Sequence, residues 1–474
     1  MSIKRKDEAA TLQRSLGNRH IQLIALGGTL GTGLFLGSAG VIEMAGPSML
    51  LGYALCGLFA FTIMRLLGEM VVAEPVSGSF SHFASKYWGR FPGFLAGWNC
   101  VILYVLLGML ELTAAGKFVQ FWWPDIPTWI TAAFFFTLLN TLNLASVRLY
   151  GETEFWFALV KVVAVVGMII LGGYLMLSGK AGPQASVANL WNGPGFLAHG
   201  TTGLAIAMPV IAFSFGGLEM LSFTAAEADQ PARVIPKAIN QVPLRVLIFY
   251  VGSVAIVLML TPQQDLVAAL RGSGDIYSRS PFVEIFAKVG VGSAATLLNF
   301  IILTAALSVY NSMVYCTSRL LHGMAAQGDA PRSLGKVNQR GVPVRAILFP
   351  AALTGLCVLL NYVIPKGLLE ALMSLIVAAL LILWTIIIVV HLKFRRQTTS
   401  TAIAFKAPLS PLSNLLCFAF VIFVAVVMFL DPSSKGAVVA IPIWLGIVFL
   451  AFVVHKSMKR RAQVQPQMLE SNKL

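Results

Sequence analysis

The chain has 474 residues, 57% of them hydrophobic and 11% charged, with a mean hydropathy of +0.81. That charged fraction is far below a soluble domain's, and many apolar runs reach the ~20 residues a helix needs to cross hydrocarbon, so soluble and β-barrel classes give way to an all-α polytopic membrane protein. The net charge of +15 does not indicate nucleic acid, because the basic residues sit in short loops between apolar runs and not in one patch.

Residues 1–19 are polar and basic, a tail expected to stay in the cytoplasm. Span one is expected at 21–41, two at 48–72, three at 94–118, four at 130–147 and five at 155–177, with 148–154 as an inner loop. The first apolar run is long and lacks a cleavage site, so it is expected to remain as a span and not act as a signal peptide. Span six is expected at 201–226, stopped by Asp229-Gln230-Pro231; spans seven to ten at 244–260, 294–325, 344–363 and 368–390. The connection 261–291 includes an apolar piece, 281–291, read as a short outer helix. Spans eleven and twelve follow at 412–430 and 437–454, then a basic tail with Lys456, Lys459, Arg460 and Arg461. Most Lys and Arg fall on the side of the two termini, which places both in the cytoplasm. The five cysteines and six histidines are dispersed, so neither a disulfide framework nor a metal or other cofactor is expected.

Two spans are interrupted. Leu26-Gly27-Gly28-Thr29-Leu30-Gly31-Thr32-Gly33-Leu34-Phe35-Leu36-Gly37 is too rich in glycine for an undisturbed helix in hydrocarbon, and Phe213-Ser214-Phe215-Gly216-Gly217-Leu218-Glu219 breaks span six. Gly31-Thr32-Gly33 is not a dinucleotide loop, since no strand precedes it and apolar sequence continues on both sides. Gly33 and Gly37 also spell a small-xxx-small helix-packing pattern, which stands beside the binding reading. If the two interruptions correspond, the repeat unit has five spans, and an odd number turns the second copy over. The expected architecture is twelve transmembrane helices in a LeuT-type 5+5 inverted repeat plus two additional helices. Its parts are a tail (1–19), repeat one (20–178), repeat two (179–396), helices eleven and twelve (397–455) and a second tail (456–474).

The interruptions suggest the ligand. Amide donors at Gly31, Thr32, Gly33 and Leu34 begin a half-helix and suit a carboxylate, while carbonyls at Phe213, Ser214 and Phe215, followed by Gly216, end one and suit an ammonium group. A zwitterionic amino acid offers both. Glu219, just past the second break, reads as a functional carboxylate or as one that holds the break open through the backbone. Lys161, deep in span five, either snorkels to the inner interface or gains and loses a proton during a cycle, and its ammonium can replace a sodium ion. Glu111 in span three is a proton-relay member or a structural partner. Glu69 and Glu227 lie nearer the inner interface, where pairing with Arg65 or loop residues is expected. Tyr104, Phe213, Phe215 and Trp384 are candidates to line a side-chain pocket, and Asn311 to bond across helices.

These segments resemble the bacterial amino acid permeases of the amino acid–polyamine–organocation superfamily, and within them the aromatic amino acid and phenylalanine permeases. Gly68-Glu69-Met70, Gly151-Glu152-Thr153-Glu154-Phe155-Trp156-Phe157-Ala158, Ala225-Ala226-Glu227-Ala228 and Arg340-Gly341-Val342-Pro343 carry the likeness beyond the two interruptions. The resemblance implies symport of amino acids with protons across the inner membrane, with aromatic amino acids (phenylalanine, tyrosine, tryptophan) favoured. It places Lys161 at the family's sodium-substituting lysine, Glu219 and Glu227 on its carboxylates in and after span six, and Tyr104 at its aromatic position in span three; with Glu111, from its depth in span three, Lys161 and Glu227 are the expected proton-coupling residues. Trp98-Asn99-Cys100-Val101 departs from the pattern, with cysteine and valine for two bulky aromatics, and Leu30 replaces a β-branched residue. A wider pocket for another neutral side chain, or exchange in place of symport, is the alternative. An enzyme would need a nucleophile–base or metal constellation, and a nutrient sensor an added signalling segment; neither is visible. A protein partner is undetermined.

Overall fold

The apolar runs become helices: among the described residues, 30–76, 79–145, 147–224, 230–272, 275–364, 367–398 and 405–471, the computed structural model contains no strand. Hydrocarbon offers no water to bond peptide groups, and a helix satisfies each one internally. Among the described residues, eleven helical stretches are long and apolar enough to cross a bilayer, and the first of them, Gly37–Ala73, holds two spans. The chain turns between them at Gly46–Ser48, where Gly46 takes φ 57° and Pro47 sets the entry to the turn. Span one therefore ends in Gly37–Ala45 and span two is Met49–Ala73. The expected start of span one lies outside the described residues.

Span three is Arg90–Val119 and span four Thr128–Ala145; span nine, Val344–Val363, and span eleven, Leu412–Leu430, have the expected limits. Span eight is Gly292–Gln327. Span five differs: it is Val147–Leu177, and the residues expected as an inner loop form its first two turns, because Glu154 is buried against span eight. Spans ten and twelve, Leu368–Gln397 and Lys435–Ser471, run past their expected ends, since Lys and Arg stems carry a helix into the polar zone without burying charge. Span seven, 242–260, contains a π-helical segment, Val246–Gly252. An amphipathic helix, Pro231–Asn240, leads into it with Val234, Ile235, Ala238 and Ile239 buried and Arg233 and Lys237 exposed. The connection before span eight carries the expected short helix, Pro281–Lys288, and a second, Gln263–Arg271.

Packing repeats with a step of five. Span one packs on six, two on seven, three on eight and four on nine. Five packs on eight and ten on three; five packs on seven and ten on two; four packs on eight and nine on three. A contact pattern that survives adding or subtracting five is what two five-helix units related by a two-fold axis produce. Spans eleven and twelve pack on each other and on ten, outside that set. The fold is the LeuT-type inverted repeat with two additional helices. The segments that join spans two to three, six to seven, eight to nine and ten to eleven share one side, called here the basic side for Lys86, Arg233, Lys237, Arg332, Lys336 and Arg340.

Candidate functional site

Span one is interrupted on its described part. Gly31 is extended (φ −126°, ψ −158°), a single helical turn follows at Thr32–Phe35, and Leu36 (φ −116°) separates it from Gly37–Ala45. Span six runs as a helix over Gly200–Phe213, breaks through 214–217 with Gly217 at φ 101°, and resumes through Leu218–Met220 and Leu221–Thr224. The interruptions face each other in direct contact. A Cβ placed on Gly33 would stand 2.6 Å from Ser214 Cα, and one on Gly37 would touch Val210 and Phe213. The packing reading of Gly33 and Gly37 thus holds at the same place as the interruption. Gly27, Gly28 and Thr29 lie outside the described residues.

The free dipole ends are fewer than the sequence suggested. The Tyr250 hydroxyl, from the π-helical segment of span seven, donates to the Ser214 carbonyl at 2.8 Å, and the Gly216 amide donates to the Phe213 carbonyl at 3.0 Å. Such π segments recur at functional sites, and here the extra residue brings a tyrosine to a helix break. Glu219 is fully buried; its Oε2 accepts from the Gly217 amide at 3.1 Å while Oε1 has no hydrogen-bond partner. The carboxylate therefore holds the break and keeps one acceptor in reserve. Phe215 stacks on Tyr250 with ring centroids 4.8 Å apart and lies edge-on to Tyr53, which makes it a packing residue between spans two and seven. Tyr104 is buried beside Glu219 and Cys100, its ring 6.1 Å from Phe223. It also borders a hollow of about 10 Å³ with Thr317 and Pro350, room for one water at most. Trp384, buried on span ten, stands one turn beyond Leu380, whose methyl group lies 3.8 Å from a Cβ placed on Gly216. Tyr104 of span three and Leu380 of span ten so border the second interruption, which itself carries Gly216 and is followed by Glu219.

A buried charge network joins the first interruption. The Thr32 hydroxyl donates to Glu111 Oε1 at 2.9 Å, and Gly31 sits so close that an added Cβ would lie 3.1 Å from the same oxygen. Lys161, with no exposed surface, is under the direct electrostatic influence of both Glu111 and Glu154. Sequence reading missed Glu154, which accepts from the Ser308 hydroxyl of span eight at 2.6 Å. Seven residues separate it from Lys161, nearly two helical turns, so the two share one face; that spacing was the available signal. The layer around them is polar and filled: Asn143 donates to Asn311 at 2.7 Å, and Tyr150 stacks on Tyr315 at 4.0 Å.

Glu69 does not pair with Arg65. It is buried and accepts from Arg395 at 2.8 Å and from the Ala407 amide at 2.6 Å, with His391 at 3.1 Å, tying spans two and ten to the segment before span eleven. Arg65 turns instead to Asn240 and the Lys406 carbonyl, its guanidinium 3.8 Å over the Phe405 ring. Glu227 lies outside the described residues. On the side opposite the basic one, a cavity of about 390 Å³ is lined by Met44, Val210, Tyr277, Glu370 and Asp431 among others. Val210, one of its lining residues, also meets Gly37 of span one. Tyr277 reaches across it onto Gly40, and its neighbour Asp275 is ion-paired to Lys117.

Residues 20–465 match a family described as amino acid permease. Proteins named aromatic amino acid transport protein AroP, from Shigella flexneri and from Escherichia coli (strain K12), are each 55% identical over 444 residues, 93% of this chain and 95% of theirs. An uncharacterized transporter YdgF of Bacillus subtilis (strain 168) is 38% identical over 94% of this chain and 96% of its own.

Proposed function

This chain belongs to the amino acid permease family, and we propose that it is a secondary transporter that imports phenylalanine, tyrosine and tryptophan together with protons across a bacterial inner membrane. The observation that carries this reading is the direct contact of two interrupted spans, with Glu111 at the first of them and Lys161 within electrostatic reach of Glu111. The substrate carboxylate is held by the amide groups of Thr32, Gly33 and Leu34 at the start of a helical turn, and the ammonium by the span-six segment around Ser214, Phe215 and Glu219. Tyr104, Phe213 and Trp384 face the side chain. The relatives named for aromatic amino acid transport support that substrate class.

Coupling follows from charge. Glu111 already occupies the Thr32 hydroxyl, and two carboxylates repel each other at one helix N-terminus. Substrate and proton therefore arrive together, the proton settling on Glu111 as the substrate carboxylate takes Thr32. Lys161 keeps the pocket's charge in balance without a metal ion, and Glu227 passes protons nearer the basic side. That side faces the cytoplasm with both termini, by its excess of Lys and Arg. Repeats 20–178 and 179–396 rock about the site, and the cavity over Val210 is the outer vestibule.

The test is uptake of labelled phenylalanine into proteoliposomes under an imposed proton gradient, with and without protonophore and with sodium replaced by choline. Protonophore-insensitive, sodium-dependent uptake overturns the coupling. Lys161→Ala is expected to abolish concentrative uptake while substrate binding survives; equal loss of both marks a structural lysine. Cys100 beside Tyr104 favours a second reading, a wider pocket for other neutral amino acids. A competition panel of the common amino acids against labelled phenylalanine separates the two.

A further inference from the structure

Glu154 has the same construction as Glu111, and both act electrostatically on Lys161. Each carboxylate is buried, each has one oxygen anchored by a hydroxyl from another span, and each keeps its second oxygen without a hydrogen-bond partner: Glu111 on Thr32 of span one, Glu154 on Ser308 of span eight. The two anchoring spans meet next to the anchors, because Val309, the residue after Ser308, would lie 3.0 Å from a Cβ placed on Gly31, the residue before Thr32. A buried carboxylate oxygen with no donor is costly unless a cation serves it. Lys161, on the same face of span five as Glu154, is the cation within electrostatic reach of both.

Resting on the symport reading above, we propose that Glu154 is the counter-ion of Lys161 in the loaded carrier, so that the ammonium is shared by two carboxylates when the site is empty and held by Glu154 alone when Glu111 carries the proton. The balance closes with one proton per substrate. It enters onto Glu111, leaves from Glu111 on the other side, and neither Lys161 nor Glu154 changes charge. Span one, which carries Thr32, is thereby loosened from Lys161 only when a proton is aboard, while Glu154 keeps the lysine anchored to spans five and eight. The other groups facing Glu154 are Tyr150 on its own span and the neutral donors Asn311 and Ser312 on span eight. None of them offers a second carboxylate.

The experiment is labelled-phenylalanine uptake by the full chain in proteoliposomes, measured from pH 5 to 8 for wild type, Glu154→Gln and Glu154→Asp, with homoexchange counterflow as the second readout. Without the Glu154 charge, protonating Glu111 strands Lys161, so Glu154→Gln is expected to lower gradient-driven uptake at least tenfold and move its pH profile to more acidic values; Glu154→Asp restores both. Unchanged uptake and profile in Glu154→Gln overturns the proposal, as does a loss that Glu154→Asp does not repair. If Glu154→Gln does not reach the membrane, Ser308→Ala replaces it, with a smaller shift in the same direction, and no shift overturns the proposal. Protonophore-insensitive uptake by wild type instead overturns the symport reading, which separates the two failures.

Discussion

Gly33→Ala adds one methyl group where the interrupted spans touch. The new carbon would stand 2.6 Å from Ser214 Cα, against 3.4 Å for ordinary contact, so the two backbones must part by about 0.8 Å. Ser214 Oγ and Cβ crowd the same point at 3.0 and 3.2 Å, and no flexible side-chain end is there to give way. Overpacking of this kind costs about 1–3 kcal/mol. The groups pushed apart are those assigned to the substrate, so the cost falls on transport, a loss of about 5- to 150-fold in kcat/KM at ~1.4 kcal/mol per tenfold. Initial rates of phenylalanine uptake at matched protein amounts, beside thermal unfolding midpoints of the purified protein, measure it. Gly167→Ala is the control: the position is a helical glycine with nothing within 4 Å, where alanine is expected to leave transport unchanged and favour the helix. Uptake by Gly33→Ala within twofold of wild type, or equal damage from Gly167→Ala, refutes the reasoning.

Three further outcomes are expected. Glu219→Gln keeps an acceptor for the Gly217 amide and should leave the break intact, whereas Glu219→Ala strands that buried amide at about 1–3 kcal/mol; thermal midpoints of the two variants should separate in that order. Tyr250→Phe removes the donor to the Ser214 carbonyl but keeps the stack on Phe215, so a loss of about 1 kcal/mol is expected, read as a lower midpoint with a smaller effect on uptake than Gly33→Ala. Arg395→Ala leaves Glu69 buried without its main cation and should cost about 3–5 kcal/mol in stability, partly recovered when Glu69→Gln is added; expression and unfolding of the single and double variants check it.

Hydropathy made the spans legible because each must satisfy its peptide groups alone, and the two interruptions were legible because glycine at that density has few other uses inside hydrocarbon. Glu154 was hidden by its neighbours: Gly151, Glu152 and Thr153 read as a polar loop, and only the helical spacing to Lys161 distinguishes one carboxylate among them. Of the partners expected for Glu69, a loop residue holds, as the Ala407 amide, and Arg65 does not, for the opposite reason. Arg65 stands one turn away in sequence, yet the guanidinium that reaches Glu69 belongs to Arg395, brought there by the packing of span ten on span two. Tyr250 carried no mark at all, since an apolar run does not say that a π-helical segment will turn its hydroxyl toward a carbonyl of another span.

The packing and binding readings of Gly33 need not compete. An α-amino acid carries its two charges on neighbouring atoms of one Cα, so a site that grips both with peptide dipoles must bring a helix start and a helix end equally close. Side chains at the crossing would hold those ends apart, and only a residue without Cβ lets the backbone of span one lie against Ser214. Close approach also draws Glu111 to the same helix start, where, in the proposed mechanism, its charge opposes the substrate's own carboxylate. On the symport proposed above, the geometry that makes the site small enough for a zwitterion is also the geometry that makes it demand a proton. A substrate analogue lacking the carboxylate, such as phenethylamine, should for that reason compete weakly and lose the pH dependence that phenylalanine shows; equal competition at every pH would break the link between the two.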